Sequence, residues 1–198
     1  MKIDEHLLLS HGAIFQDYEA KETIFFVGDT PRYYMQITQG SVELNNFLED
    51  GKEVMVGLFS EGNSIAESLL FTDQLYPINC VAKTDCTLLK LDKTSFLEIL
   101  RNDSALAMRA LERLSADLIY YYNIQTIIAE SQPVSKIKGL LDYYKAYSGI
   151  KNDHPFKVPF TRQEIAKIVG LRVETVIRTI KKMEQDCMLA IKERKIYY

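Results

Sequence analysis

The chain has 198 residues, 47% of them hydrophobic and 26% charged, which suits one large or two small packed domains and excludes a disordered polymer. Its formal charge of −3 conceals a division, since residues 1–130 sum to −10 and residues 131–198 to +7. An acidic front on a basic tail is the pattern of a polyanion-binding unit joined to something else, although a basic face by itself is commonly only solvated.

The N-terminal MKIDEHLLLSHGAIF carries Asp4 and Glu5 behind one lysine, and its apolar stretch is broken by Ser10 and His11, so it lacks a secretory-signal pattern. No apolar run approaches the roughly 18 residues of a membrane span, and a cytoplasmic protein is expected. From Thr23 to Asp92 the runs TIFFV, YYMQI, SVELNNF, VMVGLF, PINCVAK and CTLLKLD are punctuated by GDTP, TQG, EDGKE and SEGN. That spacing predicts an antiparallel roll, barrel or sandwich. Asp50-Gly51 reads as a two-residue hairpin turn, and Gly28, Gly40 and Gly62 end runs where turns need a residue without Cβ.

After Asp92 the period becomes helical. Thr94 or Ser95 can cap a short helix, SFLEIL, and Asp103 or Ser104 a long one reaching about Ala129 with no Pro or Gly. Leu111, Leu114, Leu118, Tyr121, Gln125 and Ile128 recur three and four apart along it, an a/d seam of coiled-coil register. A helix of that length spans about 39 Å, more than a small roll covers, so the seam predicts a homodimer. Pro133 then breaks the helix, giving the division 1–102 (β-roll), 103–130 (dimerisation helix) and 131–198 (C-terminal domain). A further amphipathic helix is expected from about Val134 to Tyr147, followed by the polar loop SGIKNDHP.

FTRQEIAKIVGLRVETVIRTIKKMEQ, residues 160–185, carries the functional signal. Thr161 and Glu164 have capping-box spacing, Ile165, Ala166 and Val169 give an inward face, Gly170 turns the chain, and Val173, Val176, Ile177 and Ile180 fix a second helix. That is a helix-turn-helix, whose second helix offers Arg172, Glu174, Thr175, Arg178, Lys181 and Lys182 to a major groove. Thr161, Arg162 and Gln163, at the start of the first helix, join the set of candidate DNA-binding residues. Arg can bond guanine O6 and N7 together, and Glu can accept from cytosine N4. LAIK-ERK-IYY then reads as two short strands about Glu193-Arg194, a wing that sets Arg194 beside phosphates and argues against a plain helical hairpin.

Cys80, Cys86 and Cys187 form no CxxC pair and read as three buried thiols, and His6, His11 and His154 lack ligand spacing, so no metal site is expected. A cupin enzyme would need clustered His and carboxylates inside the roll, and no catalytic triad or phosphate-cradling glycine loop is present, so no enzyme is expected. A nucleotide-binding module that controls a partner protein would explain the roll but not the basic, winged tail.

With those residues placed, the chain resembles the catabolite activator (Crp/Fnr) superfamily over about residues 15–198. VGDTPRYYMQITQGSVEL, EDGKEVMVGLF, EGNSIAESLLF, VAKTDCTLLKLDKTSF and TRQEIAKIVGLRVETVIRTIKKME occur in that family's order. The resemblance implies an α+β fold: a double-stranded, cyclic-nucleotide-binding-like β-roll, a dimerisation helix and a winged helix-turn-helix. It also implies a two-fold dimer on a pseudo-palindromic operator, with double-stranded DNA, a second copy and RNA polymerase as partners. Members that bind cyclic AMP hold the ribose with a Glu and the cyclic phosphate with a downstream Arg and Ser or Thr. Here Glu67 matches the Glu, but the Arg-Ser position falls on Tyr76-Pro77-Ile78. Losing one charged hydrogen bond, worth roughly 1.5–3 kcal/mol, weakens a phosphate grip about ten- to hundredfold, so cyclic AMP and cyclic GMP are not expected as effectors. Ser64, Glu67 and Tyr76 are the candidate effector pocket, with Glu67 either a ligand group or a carboxylate left in a vestigial site. The cysteine group of the oxygen-sensing branch is missing and no axial haem ligand is identifiable, so neither an iron–sulfur cluster nor haem is expected. The reading helix keeps the family's Glu and last Arg as Glu174 and Arg178 and has Val173 in place of the first Arg. That implies Glu174 and Arg178 on a C and a G in each half-site, with Val173 in apolar contact.

Overall fold

In the computed structural model, residues 1–149 and 155–198 are described. His154 and most of the polar loop expected before it lie outside the described residues. The chain divides into two compact units, residues 1–117 and 118–198.

The first unit opens with α1 (Glu5–Ser10), capped by the Asp4 carboxylate, which accepts from Leu7 N–H at 3.0 Å. Seven strands follow: β1 (Ile14–Tyr18), β2 (Thr23–Phe25), β3 (Tyr33–Gln39), β4 (Ser41–Phe47), β5 (Glu53–Ser60), β6 (Asn79–Ala82) and β7 (Cys86–Asp92). They form two antiparallel sheets, ordered β1-β7-β3 and β2-β6-β4-β5, the two halves of a β-roll. Phe25, Met35, Ile37, Val42, Leu44, Cys80, Ala82 and Leu88 form a buried cluster contributed by both sheets. Alternation along β3 and β7 sends Tyr34, Leu89 and Leu91 to a second cluster with Ile3, Leu8 and Phe96, so these two strands are buried on both faces.

Four details correct the sequence reading. Strands begin at Ile14 rather than Thr23, because β1 pairs only with β7 and four of its five residues are exposed, which leaves little alternation to detect. The β4–β5 hairpin has a three-residue loop rather than two: Leu48 N–H reaches Lys52 C=O at 2.8 Å, Gly51 N–H reaches Leu48 C=O at 2.9 Å, and Gly51 has φ +77. The helix α2 (Lys93–Asn102) is capped by Asp92, not by Thr94 or Ser95. Cys187 is exposed while Cys80 and Cys86 are buried. The glycine at the β3–β4 turn is required twice over, since Gly40 has φ +85 and a Cβ there would sit 2.3 Å from the Asp85 carbonyl oxygen.

Asp103 caps α3 (Ser104–Ala129) by accepting from Leu106 N–H at 3.0 Å, and α3 runs from the first unit into the second. Leu111, Leu118, Tyr121, Gln125 and Ile128 are exposed along it, whereas Leu114 is half-buried. Three helices follow, α4 (Pro133–Tyr147), α5 (Arg162–Val169) and α6 (Val173–Gln185), and then the hairpin β8 (Ala190–Lys192) and β9 (Lys195–Tyr197). Pro133 sits in the first turn of α4, where its missing N–H costs nothing. Ile137, Leu140, Ile165, Val169, Val176, Ile180 and Met183 are buried from three helices that contact one another. Phe156 and Val158 extend the hairpin, with Phe156 N–H donating to Tyr198 C=O at 2.8 Å and Val158 N–H to Ile196 C=O at 2.9 Å.

Candidate nucleic-acid interface and effector pocket

The expected capping box opens α5: Glu164 N–H donates to Thr161 Oγ1 at 3.2 Å, and Thr161 N–H to Glu164 Oε2 at 2.7 Å. Gly170, at φ +67, ends α5, and the short link to α6 leaves Leu171 N–H on Ala166 C=O at 3.0 Å. Val176, Thr179, Ile180 and Met183 form the buried stripe of α6. Its opposite face carries Glu174, Arg178, Lys181 and Lys182, all exposed, preceded by exposed Arg172. None of these five side chains has a hydrogen-bond or ion-pair partner among the described residues. Thr175 and Val173 are half-buried. Ile177, expected inside, is 47% exposed, because it lies one residue beyond the buried stripe and on the Glu174–Arg178 face.

Contacts invisible in the linear sequence hold the wing to the helices. Glu184 on α6 accepts from Ile191 N–H at 3.1 Å, anchoring β8. The Arg162 guanidinium donates to the Arg194 carbonyl oxygen at 3.3 Å, joining α5 to the wing tip. Glu193 and Arg194 form that tip with φ of +48 and +63, left-handed at both positions as a two-residue hairpin turn demands. Thr161, Arg162, Gln163, Arg172, Val173, Glu174, Thr175, Arg178, Lys181, Lys182 and Arg194 thus all lie on α5, α6, their N-caps or the wing of one unit, with Arg162 partly engaged by the wing.

In the first unit the candidate effector residues do not form one set. Ser64 and Glu67 come together: the Ser64 hydroxyl donates to Glu67 Oε1 at 2.5 Å, and the Met1 amine donates to Ser64 Oγ at 2.5 Å and lies 3.4 Å from Glu67 Oε1. Burial holds this amine below its ordinary pKa, partly offset by the Glu67 carboxylate. The segment behind it is tied down as well, with Tyr34 Oη donating to Met1 C=O at 3.0 Å and Ile3 N–H to Gln36 Oε1 at 2.8 Å. Glu67 begins a 3-10 turn, Glu67–Phe71, and is buried. Tyr76 takes no part: it is 4% exposed and stacks on Phe25 with ring centroids 3.8 Å apart. Burial pushes its hydroxyl above the usual phenol range. Its outer edge borders a cavity of about 390 Å³ lined also by Gly28, Asp29, Arg32, Tyr33 and Lys90.

Among the described residues, no group of three His, Cys, Asp or Glu could hold a metal ion, and no helix is long and apolar enough to cross a membrane.

A β-roll joined through a long helix to a winged helix-turn-helix defines a DNA-binding regulator with a sensor-type domain. The cyclic nucleotide-binding domain family matches residues 15–103, and the Crp-like helix-turn-helix domain matches residues 137–197. The chain is 26% identical over 189 residues to the cAMP-activated global transcriptional regulator Vfr of Pseudomonas aeruginosa, covering 88% of this chain and 84% of Vfr. It is 23% identical over 187 residues to the transcriptional activator FnrL of Cereibacter sphaeroides, covering 91% and 74%. Its fold resembles the c-di-GMP responsive regulator CLP of Xanthomonas campestris, at 21% identity with TM-score 0.74, covering 97% of this chain and 98% of CLP. It also resembles OCPA-complexed CprK, at 17% identity with TM-score 0.78, covering 99% and 91%. The chain belongs to the Crp/Fnr family of transcription regulators.

Proposed function

We propose that this regulator binds a pseudo-palindromic operator as a homodimer, with one α6 helix in the major groove of each half-site. The carrying observation is the face of α6, where Glu174, Arg178, Lys181 and Lys182 are exposed and have no partner of their own among the described residues. Glu174 accepts from a cytosine N4 and Arg178 bonds a guanine at O6 and N7, with Val173 beside them and Thr175 supporting. Arg172, Lys181, Lys182, Arg194 and the α5 start at Thr161, Arg162 and Gln163 hold phosphates. The exposed seam Leu111, Leu118, Tyr121, Gln125 and Ile128, with half-buried Leu114, supplies the dimer contact, and large apolar side chains there favour a second copy by roughly 1.5–3 kcal/mol each when covered. The functional division stays 1–102, 103–130 and 131–198, and the setting is cytoplasmic, with RNA polymerase as the partner on the promoter.

In this function the chain has no catalytic activity and no response to cyclic AMP or cyclic GMP. Ser64 and Glu67 already bond each other and the Met1 amine, and Tyr76 fills the core where a phosphate would need a cation. Relatives of this fold differ in effector by their own names, cAMP for Vfr and c-di-GMP for CLP. Selection of bound sequences from random DNA by the purified chain tests the proposal: an inverted repeat with one C and one G fixed per arm is expected, and the absence of any enriched sequence would refute it. Submicromolar calorimetric binding of either cyclic nucleotide would overturn the effector statement.

A further inference from the structure

Ile177 has no role in the reading above, and it is the one large apolar side chain of α6 that stands exposed. Positions three and four apart share a helix face, so Ile177 lies in the row Glu174, Ile177, Lys181 and next to Arg178. It therefore borders the Glu174–Arg178 edge that faces base pairs if α6 lies in a groove, on the side next to the buried stripe. Its neighbours in that row are charged and have no partner of their own among the described residues, and nearly half of Ile177 stays exposed beside them.

The groove offers little that an isoleucine can recognise. Major-groove edges present N7 and O6 of guanine, N4–H2 of cytosine, N7 and N6–H2 of adenine, and O4 with the C5-methyl of thymine. The methyl is the one apolar group in that set. Cytosine at the same place carries C5–H where thymine carries the methyl, so it offers the side chain no such apolar contact. A β-branched side chain on a helix is also held to nearly one χ1 rotamer, so little freedom is lost on contact. Val173, the residue first expected to make apolar contact, is half-buried and less available.

We infer that Ile177 is a specificity-determining residue that selects thymine at one position of each half-site through its C5-methyl group. The inference rests on the proposed operator binding and adds to it a base that neither Glu174 nor Arg178 reads. Its ordinary rival is that Ile177 is one of the isolated exposed apolar residues every protein carries.

The test uses the full chain and the operator obtained from random-DNA selection, with 2′-deoxyuridine replacing thymine at one position at a time in both half-sites. That change deletes the methyl and nothing else. Affinity measured by fluorescence anisotropy should fall about fourfold per half-site at one thymine, about fifteenfold for both, the worth of one buried methyl-sized group. Ile177→Ala should bind thymine and deoxyuridine operators within about twofold of each other, and Ile177→Val should restore part of the difference. The Ile177→Ala selection should lose the thymine while keeping the C and G of Glu174 and Arg178. The inference is overturned if the native protein is indifferent to deoxyuridine at every thymine, if its selected sequence fixes C and G but no thymine, or if Ile177→Ala keeps the full penalty. If nothing is enriched at all, the proposed function falls and takes this inference with it.

Discussion

The turn at Glu67 and the outward face of α6 each gather several hydrogen-bonding side chains, but one cluster is closed on itself and the other is open. At the turn, Ser64, Glu67, Gln36 and Tyr34 are buried and bond one another or the Met1–Ile3 segment. On α6, Arg178, Glu174, Lys181 and Lys182 are in solvent with their donors and acceptors unassigned. A buried polar group without a partner costs about 1–3 kcal/mol, so the cluster at the turn has completed its bonds internally, while the helix keeps them for something outside. The contrast separates a polar cluster that builds a fold from one that reads a ligand.

Breaking the closed cluster's surroundings should have the largest effect. Tyr76→Ala removes a ring stacked on Phe25 in the core and should lower stability by about 3–5 kcal/mol in urea unfolding. A loss below about 1 kcal/mol would mean that the Tyr76–Phe25 stack contributes little to the core. On the open side, Arg178→Ala should leave unfolding unchanged and cost about 1–3 kcal/mol of DNA binding, with relaxed preference at one base pair. Lys182→Ala sharpens this, since it should weaken all sequences evenly and reduce the salt slope by about 1. Thr161→Ala removes half of a capping box and should cost about 1 kcal/mol of stability in the C-terminal unit, measured by its own melting transition.

The smallest effect is expected in alkali. Burial first, and the Glu22 carboxylate second, push the Tyr18 hydroxyl up to about 12. A folded-state pKa raised above 10 contributes stability that is whole below pH 10 and is lost as pH rises through about 12. Melting temperatures should therefore fall between those pH values, and less steeply in Tyr18→Phe. Equal slopes for the two proteins would show that Tyr18 is not sheltered.

Local signals were readable along the sequence, and distant ones were not. The Thr161–Glu164 box, the Gly170 turn and the Glu193-Arg194 hairpin all bond within a few residues, so residue type and spacing determine them. The strands Ser41–Phe47 and Cys86–Asp92 were legible because they are long and rich in apolar residues. By contrast, β1 has a single strand neighbour and one buried residue, and α1 is six residues long, so neither carries a period to read. The Phe156–Tyr198 pairing and the Arg162–Arg194 contact join residues more than thirty apart, which no spacing rule anticipates. Ile177 reads as inward from the sequence because Val173, Val176, Ile177 and Ile180 together span more of the helix circumference than the core of the unit covers, and only packing decides which of them is left out.

Dimethyl sulfate interference on the selected operator tests the central claim most directly, because methylating guanine N7 blocks the acceptor that Arg178 needs. Two α6 helices related by a dyad predict one critical guanine in each arm, on opposite strands, with half-site centres about 10–10.5 base pairs apart. Both signals should vanish from the footprint of the Arg178→Ala variant. A single critical guanine, or binding indifferent to N7 methylation, would contradict the paired-helix account.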